Sequence, residues 1–362
     1  MKVVIIGAGA AGLGIGWRLR QAGEQVTIIE RAQPGRGATW AAAGMIAVAG
    51  EAGGGNTAEA ELSRQASDLW PDFARELEEA SGTAITYRQS GALMVALNSE
   101  DFGWLPTGDL VERIDPAAAA RIEPTLTRDC SCVLWAPHEA QVDNRALGTA
   151  LARAFIRAGG ELARNETAVR IEAREGRAVA VHTAFKRYDA DAFILAAGAW
   201  SGLVDGVPPD AVPPVRPVKG QMIALEGGGV PSHIVRGSHV YLVPRGERVF
   251  VGATVEEVGF DTASTRVASA SLFGSACALV PDLERATVAE QWAGLRPGTP
   301  DSLPILGPTA LAGLYAATGQ YRNGILFVPS IAELLCQIVR GRAKPIPAFD
   351  PRRFSSPACA EG

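Results

Sequence analysis

The sequence predicts an α/β fold in which a Rossmann-like dinucleotide-binding domain is interleaved with a domain built on an antiparallel sheet. Residues 3–6 form a short apolar run, typical of a strand buried on both faces, and glycines follow it directly. Residues 192–195 form a second such run that also ends in a glycine turn. Between and after these runs lie segments of antiparallel character, such as residues 218–225. Parallel and antiparallel strands therefore alternate along the chain.

The first thirty residues contain every part of a dinucleotide-binding unit. Gly7, Gly9 and Gly12 have G-x-G-x-x-G spacing and are followed by a helix to about Gln21 and a strand at residues 25–29, which ends at Glu30. The first glycine permits the tight turn, the second lets a pyrophosphate approach the backbone, and the third lets helix and strand pack closely. The helix N-terminus offers N–H groups to the anion, and the acid can accept hydrogen bonds from ribose hydroxyls. This unit predicts a dinucleotide site but does not identify the dinucleotide.

Composition narrows the class of protein. The chain has 362 residues, of which 47% are hydrophobic and 20% charged, so it can bury a large core in one or two domains. Its net charge of −5 disfavours a nucleic-acid partner, and no apolar stretch is long enough for a membrane span. Five scattered cysteines suggest reduced thiols, and four histidines offer little for a metal site. We therefore predict a cytoplasmic protein without a metal.

The segment after Glu30 combines a loop with a cluster of small residues at positions 38–45. These small residues indicate either the start of an alanine-rich helix or a bare backbone surface against which a flat ligand can lie. Residues 50–55 are rich in glycine and are expected to be mobile, whereas residues 59–80 have helical spacing.

The middle of the chain is predicted to contain two hairpins and two helices. A hairpin is expected at residues 85–97, broken at Ser90-Gly91, and another around Glu175-Gly176. Asp143 is placed to cap a helix. The remaining assignments are a helix at 112–122, a strand at 133–137, a helix at 144–158 and the hairpin strands at 169–173 and 178–183.

The last third is predicted to be mostly antiparallel before it returns to the first domain. A proline-rich stretch at 207–217 is expected to cross between domains, and residues after Phe354 to form a tail. The predicted elements are strands at 218–225, 239–243 and 248–253, a helix at 267–280, an extended segment at 287–294, a turn at 296–300, a strand at 314–317 and a helix at 325–340. We expect the cofactor domain to comprise residues 1–82, 138–212 and 297–354, the substrate domain residues 83–137 and 213–296, and the tail residues 355–362.

Several short motifs together resemble the D-amino-acid-oxidase superfamily of flavoproteins, and within it the glycine oxidases of the thiamine pathway. They cover nearly the whole chain, and the two most specific are the stretch from Trp292 to Thr299 and the stretch from Tyr321 to Ile325. The others are the glycine motif at 7–12 and residues 41–45, 241–245 and 252–254. The resemblance implies non-covalent FAD, oxidation of a small amino acid by dioxygen with release of hydrogen peroxide, a link to thiamine synthesis and a homo-oligomer.

The resemblance also implies which residues bind the cofactor. Arg322 and its neighbours are expected along the pyrimidine edge of the flavin, and the backbone of Val169 at the adenine. The full expected set is Gly7, Gly9, Ala10, Ala11, Gly12, Glu30, Arg31, Ala38, Thr39, Ala43, Gly44, Met45, Val169, Ala197, Gly198, Trp200, Gln320, Tyr321, Arg322, Asn323, Gly324, Ile325 and Leu326.

Four residues are candidates for binding the substrate. Arg296, expected in a turn, can hold a carboxylate with two parallel hydrogen bonds, and Tyr241 can donate another from its hydroxyl. Arg322 is expected to line the pocket or support the flavin, and His239 to tune the pocket. Three of them have a simpler alternative: Arg296 as a surface arginine, Arg322 as a loop residue and His239 as a structural histidine.

Two departures from the family pattern leave the substrate open. Gln320-Tyr321 stands where a His-Phe pair is usual, and Val255 where methionine is expected. A D-amino-acid dehydrogenase that reduces a quinone, a flavin domain that modifies tRNA and a non-catalytic dinucleotide-binding module are the competing interpretations. No basic amphipathic anchor, basic face or fused second domain favours the first two.

Overall fold

The computed structural model describes residues 1–49 and 57–354. The glycine-rich segment at 50–55 and the tail after Phe354, for which mobility and a tail were predicted, lie outside the described residues. The described part contains seven α-helices: α1 (Ala10–Gln21), α2 (Ala38–Ala41), α3 (Ala58–Ser81), α4 (Pro116–Ile122), α5 (Asn144–Arg157), α6 (Arg266–Leu279) and α7 (Val328–Val339).

The same residues form nineteen β-strands in four sheets. These are β1 (Lys2–Ile6), β2 (Gln25–Glu30), β3 (Met45–Ile46), β4 (Ala92–Ala96), β5 (Glu112–Ile114), β6 (Cys132–Ala136), β7 (Ala140–Gln141), β8 (Glu161–Arg164), β9 (Arg170–Arg174), β10 (Arg177–His182), β11 (Arg187–Asp189), β12 (Ala192–Leu195), β13 (Arg216–Glu226), β14 (Ile234–Arg236), β15 (Tyr241–Arg245), β16 (Arg248–Gly252), β17 (Thr287–Gly298), β18 (Ile305–Pro308) and β19 (Leu314–Thr318).

The first large sheet has six strands in the order β18-β19-β12-β1-β2-β8. All of its pairs are parallel except β18 with β19. Val3 and Ile5 point into a core shared with α1, α3, α5 and α7, whereas Val4 and Ile6 point into a second core under strands β9–β11. The apolar run of β1 is therefore buried on both faces, as predicted.

The second large sheet has eight strands in the order β17-β13-β16-β15-β14-β4-β6-β5. It is antiparallel except for the pair β14 and β4. Leu93 and Val95 face helix α6, and Met94 faces the small residues Ala41 and Ala43 on the other side. The second face of this sheet thus packs against the chain that follows β2.

Most predicted elements are confirmed, including α1, the α5 helix and the hairpin of β9 and β10. Asp143 caps α5 through bonds from the N–H groups of Arg145 and Ala146 at 2.9 and 3.0 Å. None of the helices among the described residues combines the length and apolar composition needed to cross a bilayer.

The predictions for residues 85–97, for residues 112–122 and for the start of α7 are wrong. Residues 85–97 do not form a hairpin, because β4 pairs with β14 and β6 and Arg88 pairs with Gln141. Residues 112–122 are not one helix, because Asp115 caps a helix that begins at Pro116 and the residues before it form β5. Helix α7 begins at Val328 rather than at Ile325, with Pro329 in its first turn.

Candidate active site

A cavity of about 970 Å³ lies where the carboxyl ends of the parallel strands meet the eight-stranded sheet. Ile6, Glu30, Ala196 and Ala317 line it at the ends of β1, β2, β12 and β19. Ligands of α/β sheets bind outside the carboxyl ends of the strands, so the cavity has the place expected of a cofactor site.

The glycine loop after β1 forms one end of the cavity. Gly7 has φ +106°, and a Cβ there would lie 2.5 Å from Ala196 O, so no other residue fits. Gly12 lies outside the cavity lining, where a Cβ would lie 2.0 Å from Gly7 O, and it therefore permits the close contact of α1 with the loop. At Gly9 a Cβ would meet only Thr39 Oγ1, at 3.7 Å, which leaves open space above the backbone.

Glu30 is held at the same end by two backbone bonds. Its Oε2 accepts from Ala8 N–H at 2.8 Å and its Oε1 from Ala32 N–H at 2.9 Å. Next to it the Arg31 guanidinium lies 3.6 Å from the centre of the Trp200 ring, and both residues line the cavity. The carboxylate is thus fixed in orientation before any ligand binds.

The small residues at 38–45 combine a short helix with a stretch of backbone on the cavity wall. Ala38–Ala41 form the short helix α2, and the residues from Ala41 to Gly44 line the cavity with no side chain larger than a methyl group, followed by Met45. Their carbonyls are fixed from behind, because Trp292 Nε1 donates to Ala41 O at 2.9 Å and Arg245 Nη2 to Ala43 O at 2.7 Å.

Arg296 lies within strand β17, opposite Val218, and not in a turn as predicted. The strand continues because Pro297 lies opposite Pro217, a position where neither strand has an N–H to pair. Arg296 Nη1 donates to Thr254 O at 3.1 Å and to Lys219 O at 3.4 Å, and no described residue forms an ion pair with it.

Two glycines make room for the side chains of Arg296 and Tyr241 on the cavity wall. A Cβ at Gly220 would lie 2.4 Å from the Arg296 guanidinium nitrogens, and one at Gly252 would lie 2.6 Å from the hydroxyl oxygen of Tyr241. Tyr241 begins β15 and its hydroxyl contacts Met222 Sδ at 3.6 Å. Arg296, Tyr241, Arg322 and His239 all line the cavity.

The segment from Gln320 to Leu326 connects β19 to α7. Tyr321 has φ +45°, and its N–H donates to Pro297 O at 3.2 Å, which ties the segment to the end of β17. Asn323 and Leu326 are not in the cavity lining, but they hold the segment from behind: Asn323 Nδ2 donates to Glu59 Oε1, and Leu326 O accepts from Trp70 Nε1. Because α7 starts later than predicted, the turn at Gly324 and Ile325 faces the cavity instead of the helix N-terminus.

Val169 is not brought to the cavity. Its N–H donates to His182 O at 2.8 Å and its carbonyl accepts from Asp205 N–H at 3.1 Å, so both groups are used within the fold. Residues 166–168 line the cavity in its place. The other expected cofactor residues that line it are Ala10, Ala11, Ala38, Thr39, Gly44, Ala197 and Gly198.

Sequence reasoning missed several lining residues that carry no motif. Trp104 and the segment at 236–238 reach the wall only because β4, β14 and β15 are neighbours. Ser271 and Ser275, four residues apart on α6, share the helix face that closes one side. Helical spacing shows that they share a face but not which surface that face contacts.

The residues present fit FAD. The cavity runs from the glycine loop and Glu30 to the wall that carries Arg296. One end therefore suits the pyrophosphate and ribose, and the other end suits a substrate. The Gln320 amide nitrogen is buried without a hydrogen-bond partner among the described residues, as expected of a donor whose acceptor is a ligand. No group of three His, Cys, Asp or Glu side chains in the described part could hold a metal ion.

Comparison with known proteins agrees with this geometry. The DAO family, described as FAD dependent oxidoreductase, matches residues 2–338. The chain is 34% identical to glycine oxidase of Pseudomonas aeruginosa over 98% of both chains, and 34% identical to the bifunctional protein ThiO/ThiG of Trichormus variabilis over 95% of this chain. It spans 53% of the latter, and about half the length of the first curated relatives it matches.

A solved structure leads to the same family. The crystal structure of glycine oxidase from Geobacillus kaustophilus superposes with a TM-score of 0.88 at 30% identity, covering 98% of this chain and 97% of that one. The resemblance inferred from the motifs is thereby confirmed, and so is FAD as the cofactor of the family. The chain belongs to the DAO family of FAD-dependent oxidoreductases.

Proposed function

We propose that this protein oxidises glycine or a small related amino acid, such as sarcosine or a small D-amino acid, with FAD as cofactor and dioxygen as electron acceptor. The observation that carries the proposal is Arg296, an arginine without an ion pair among the described residues, on the cavity wall opposite a dinucleotide-binding loop. Similarity to glycine oxidases over nearly the whole chain supports the substrate class.

Arg296 and Tyr241 bind and orient the substrate in this proposal. The planar guanidinium donates two parallel hydrogen bonds to the carboxylate, and the tyrosine hydroxyl donates a third. Apolar neighbours, including Met222, Ala253 and Leu295, line the same wall and limit the access of water. Bound FAD would supply an acceptor for the hydride of the substrate Cα–H, with dioxygen as the final electron acceptor and hydrogen peroxide as the product. The amino acid becomes an imine, which water converts to a 2-oxo acid and ammonia, or methylamine when the substrate is sarcosine.

The cofactor end has its own assignments. Glu30 is proposed to accept hydrogen bonds from ribose, and the backbone at Gly7 and Gly9 with the N-terminus of α1 to bind the pyrophosphate. The segment from Gln320 to Ile325 is proposed to lie along the flavin ring. Support comes from the fixed carboxylate of Glu30 and the open space above Gly9.

The domain division is a further proposal. The strands of the six-stranded sheet fall within residues 1–82, 138–212 and 297–354, and those of the eight-stranded sheet, apart from the end of β17, within 83–137 and 213–296. The last two residues of β17 cross the proposed boundary at residue 297.

Cellular context is proposed as well. We place the protein in the cytoplasm, in the synthesis of the thiazole of thiamine, as the resemblance to glycine oxidases implies. We also propose a homo-oligomer, a dimer or a tetramer, as the same resemblance implies. Light scattering of the purified protein measures the oligomeric state directly.

Peroxide release across glycine, sarcosine and small D-amino acids tests the proposed reaction. Arg296→Ala should raise KM for the best substrate at least about a hundredfold, since two charged hydrogen bonds contribute roughly 1.5–3 kcal/mol each. Arg296→Lys should recover only part of the loss, because a point charge cannot replace the planar fork. An amine without a carboxylate should lose much less than glycine does, and equal losses would rule out the carboxylate-binding role.

A further inference from the structure

Arg245, the last residue of strand β15, forms no ion pair with any described carboxylate. Its Nη2 donates to Ala43 O at 2.7 Å, and its Nε is buried without a hydrogen-bond partner among the described residues. Burial lowers the pKa of Arg245, and the more distant charge of Asp143 opposes this shift. A guanidinium still stays protonated at neutral pH, so this arginine places a positive charge inside the protein at a cost in free energy.

The guanidinium of Arg245 lies directly behind the cavity wall. Tyr241 and Arg245 share one face of β15, the face that meets the small residues at 41–43. Ala43 and Gly44 line the cavity, whereas Arg245 does not. A Cβ on Gly44 would lie 2.9 Å from Arg245 Nη2. A single layer of backbone therefore separates the charge from the space that the cofactor fills.

The peptide group between Ala43 and Gly44 connects this charge to the cavity. The peptide is planar and trans, so its C=O and its N–H point in opposite directions. Its C=O points to Arg245, away from the cavity, and the N–H of Gly44 therefore points towards the cavity. This N–H donates to no described residue, whereas the Gly44 carbonyl accepts from Val142 N–H at 2.8 Å. A cation bound to the C=O polarises the peptide and makes its N–H a stronger donor.

We propose that Arg245 is a positioning residue that raises the reduction potential of bound FAD, through the N–H of Gly44 and through its own charge. Reduction by two electrons increases the negative charge on the atoms of the flavin ring. A polarised donor and a cation on one side of the ring therefore stabilise the reduced cofactor more than the oxidised one. The inference rests on the proposed function, in which FAD fills the cavity. A purely structural role for Arg245 would require a donor to Ala43 O but not a positive charge.

The test measures the equilibrium between the FAD-loaded protein and a reference dye of known potential during reduction by dithionite. Arg245→Met removes the charge and the donor, and Arg245→Gln removes the charge but keeps a donor for Ala43 O. Both should shift the equilibrium constant at least about tenfold towards oxidised flavin, equivalent to about 30 mV for two electrons. Arg245→Lys keeps the charge and should stay within about threefold of the unmodified protein. FAD content and the melting temperature are recorded for each variant.

Arg20→Met is the matched control, because Arg20 also holds backbone carbonyls and forms no ion pair with a described carboxylate. Its Nη1 lies 2.6 Å from Glu24 O and its Nε 3.0 Å from Ala158 O. It lies in the last turn of α1, about 15 Å along the helix from the glycine loop, since each residue adds roughly 1.5 Å. The variant should lower the melting temperature and leave the equilibrium with the dye within about threefold.

A shift of less than about tenfold in either uncharged variant, or an equal shift in Arg245→Lys or in Arg20→Met, would overturn the inference. If Arg245→Met does not retain FAD, Arg245→Gln decides alone. Loss of FAD from both would also overturn it, because Arg245 would then serve retention of the cofactor rather than its potential.

The measurement needs no amino acid, which separates this inference from the proposed function. A protein that binds FAD but releases no peroxide with any amino acid would reject the proposed substrate class and leave the role of Arg245 to the dye equilibrium. A protein that takes up no FAD would reject both.

Discussion

The guanidinium of Arg145 forms two hydrogen bonds of 2.9 Å with the carboxylate of Glu290, one from each terminal nitrogen. The pair joins the first turn of α5, a helix that packs on the six-stranded sheet, to β17 of the eight-stranded sheet. Arg145 also lies 3.8 Å from the ring centre of Trp40 and 4.7 Å from that of Trp292. Trp292 holds the carbonyl of Ala41, so this cluster supports the cavity wall from behind.

Arg145→Met should lower the free energy of unfolding by about 1.5–3 kcal/mol, because a paired and stacked guanidinium is lost. It should also weaken FAD binding, which is measured by titrating the apoprotein. Arg75→Met is the control, because Arg75 and Asp72 form an ion pair whose side chains are both mostly exposed, and such pairs contribute little to stability. Equal losses of stability in the two variants would contradict this account of the cluster.

Gly220→Ala should raise KM for the amino acid about tenfold with little change in melting temperature or FAD content. The new Cβ would lie 2.4 Å from the Arg296 guanidinium, the flexible end of a side chain that can move aside. Gly274→Ala, at an exposed position on α6 with no atom within 4 Å of the new Cβ, is the control and should leave KM unchanged. A large drop in melting temperature with unchanged KM would mean that Gly220 serves folding only.

Glu30→Ala should weaken FAD retention, because the proposed partner of the ribose is removed and the N–H groups of Ala8 and Ala32 lose their acceptor. Turnover at saturating FAD should stay close to that of the unmodified protein, since the acid lies at the far end of the cavity from Arg296. The dissociation constant of FAD and the turnover in excess FAD are the two measurements. A folded variant that excess FAD does not reactivate would refute the ribose assignment.

Glu123 should make stability depend on acid pH. It is fully buried; burial alone would raise its pKa, but hydrogen bonds from His233, Thr125 and the backbone of Ser232 lower it from 4.5 to about 2. A depressed carboxyl pKa stabilises the fold above pH 4.5, and this contribution is lost as the pH falls from 4.5 toward 2. It amounts to roughly 3 kcal/mol at neutral pH.

Urea unfolding of Glu123→Gln and of the unmodified protein between pH 7 and pH 3 measures the contribution of the Glu123 carboxylate to stability. The variant should be less stable at pH 7, and the difference should shrink as the pH falls. A difference that stays constant with pH would show that Glu123 acts through packing rather than through its charge.

Helices and strands that end at a recognisable cap or glycine turn were predicted correctly from the sequence. The glycines after β1, the cap at Asp143 and the turn at Gly176 each determine a backbone conformation directly, and those elements are confirmed. The pairing of residues 85–97 could not be read in this way, because an extended run identifies a strand but not its partner. The helix start at Pro116 was available from the Asp-Pro sequence and was overlooked.

The residues of the candidate site fall into the same two groups: those marked by a local pattern were predicted, and those placed by distant packing were not. Backbone features such as Gly7 and Gly44 were recognisable because only glycine fits there. Arg296 was identified by its motif but predicted in a turn, because Pro297 and Gly298 are typical turn residues. The strand continues because Pro217 faces Pro297, so the N–H that proline lacks has no partner to lose. Trp104 and Ser271 depend on the packing of distant elements, which no local pattern records.

The interleaving of the chain has a consequence for its synthesis. Gly7 emerges early from the ribosome, yet it rests against Ala196, and the sheet that carries both is completed only by β19 near residue 318. Contacts this distant in sequence form slowly and late. We therefore expect that a nascent chain that stops before β19 binds no flavin, and that the cofactor enters only once translation has nearly ended.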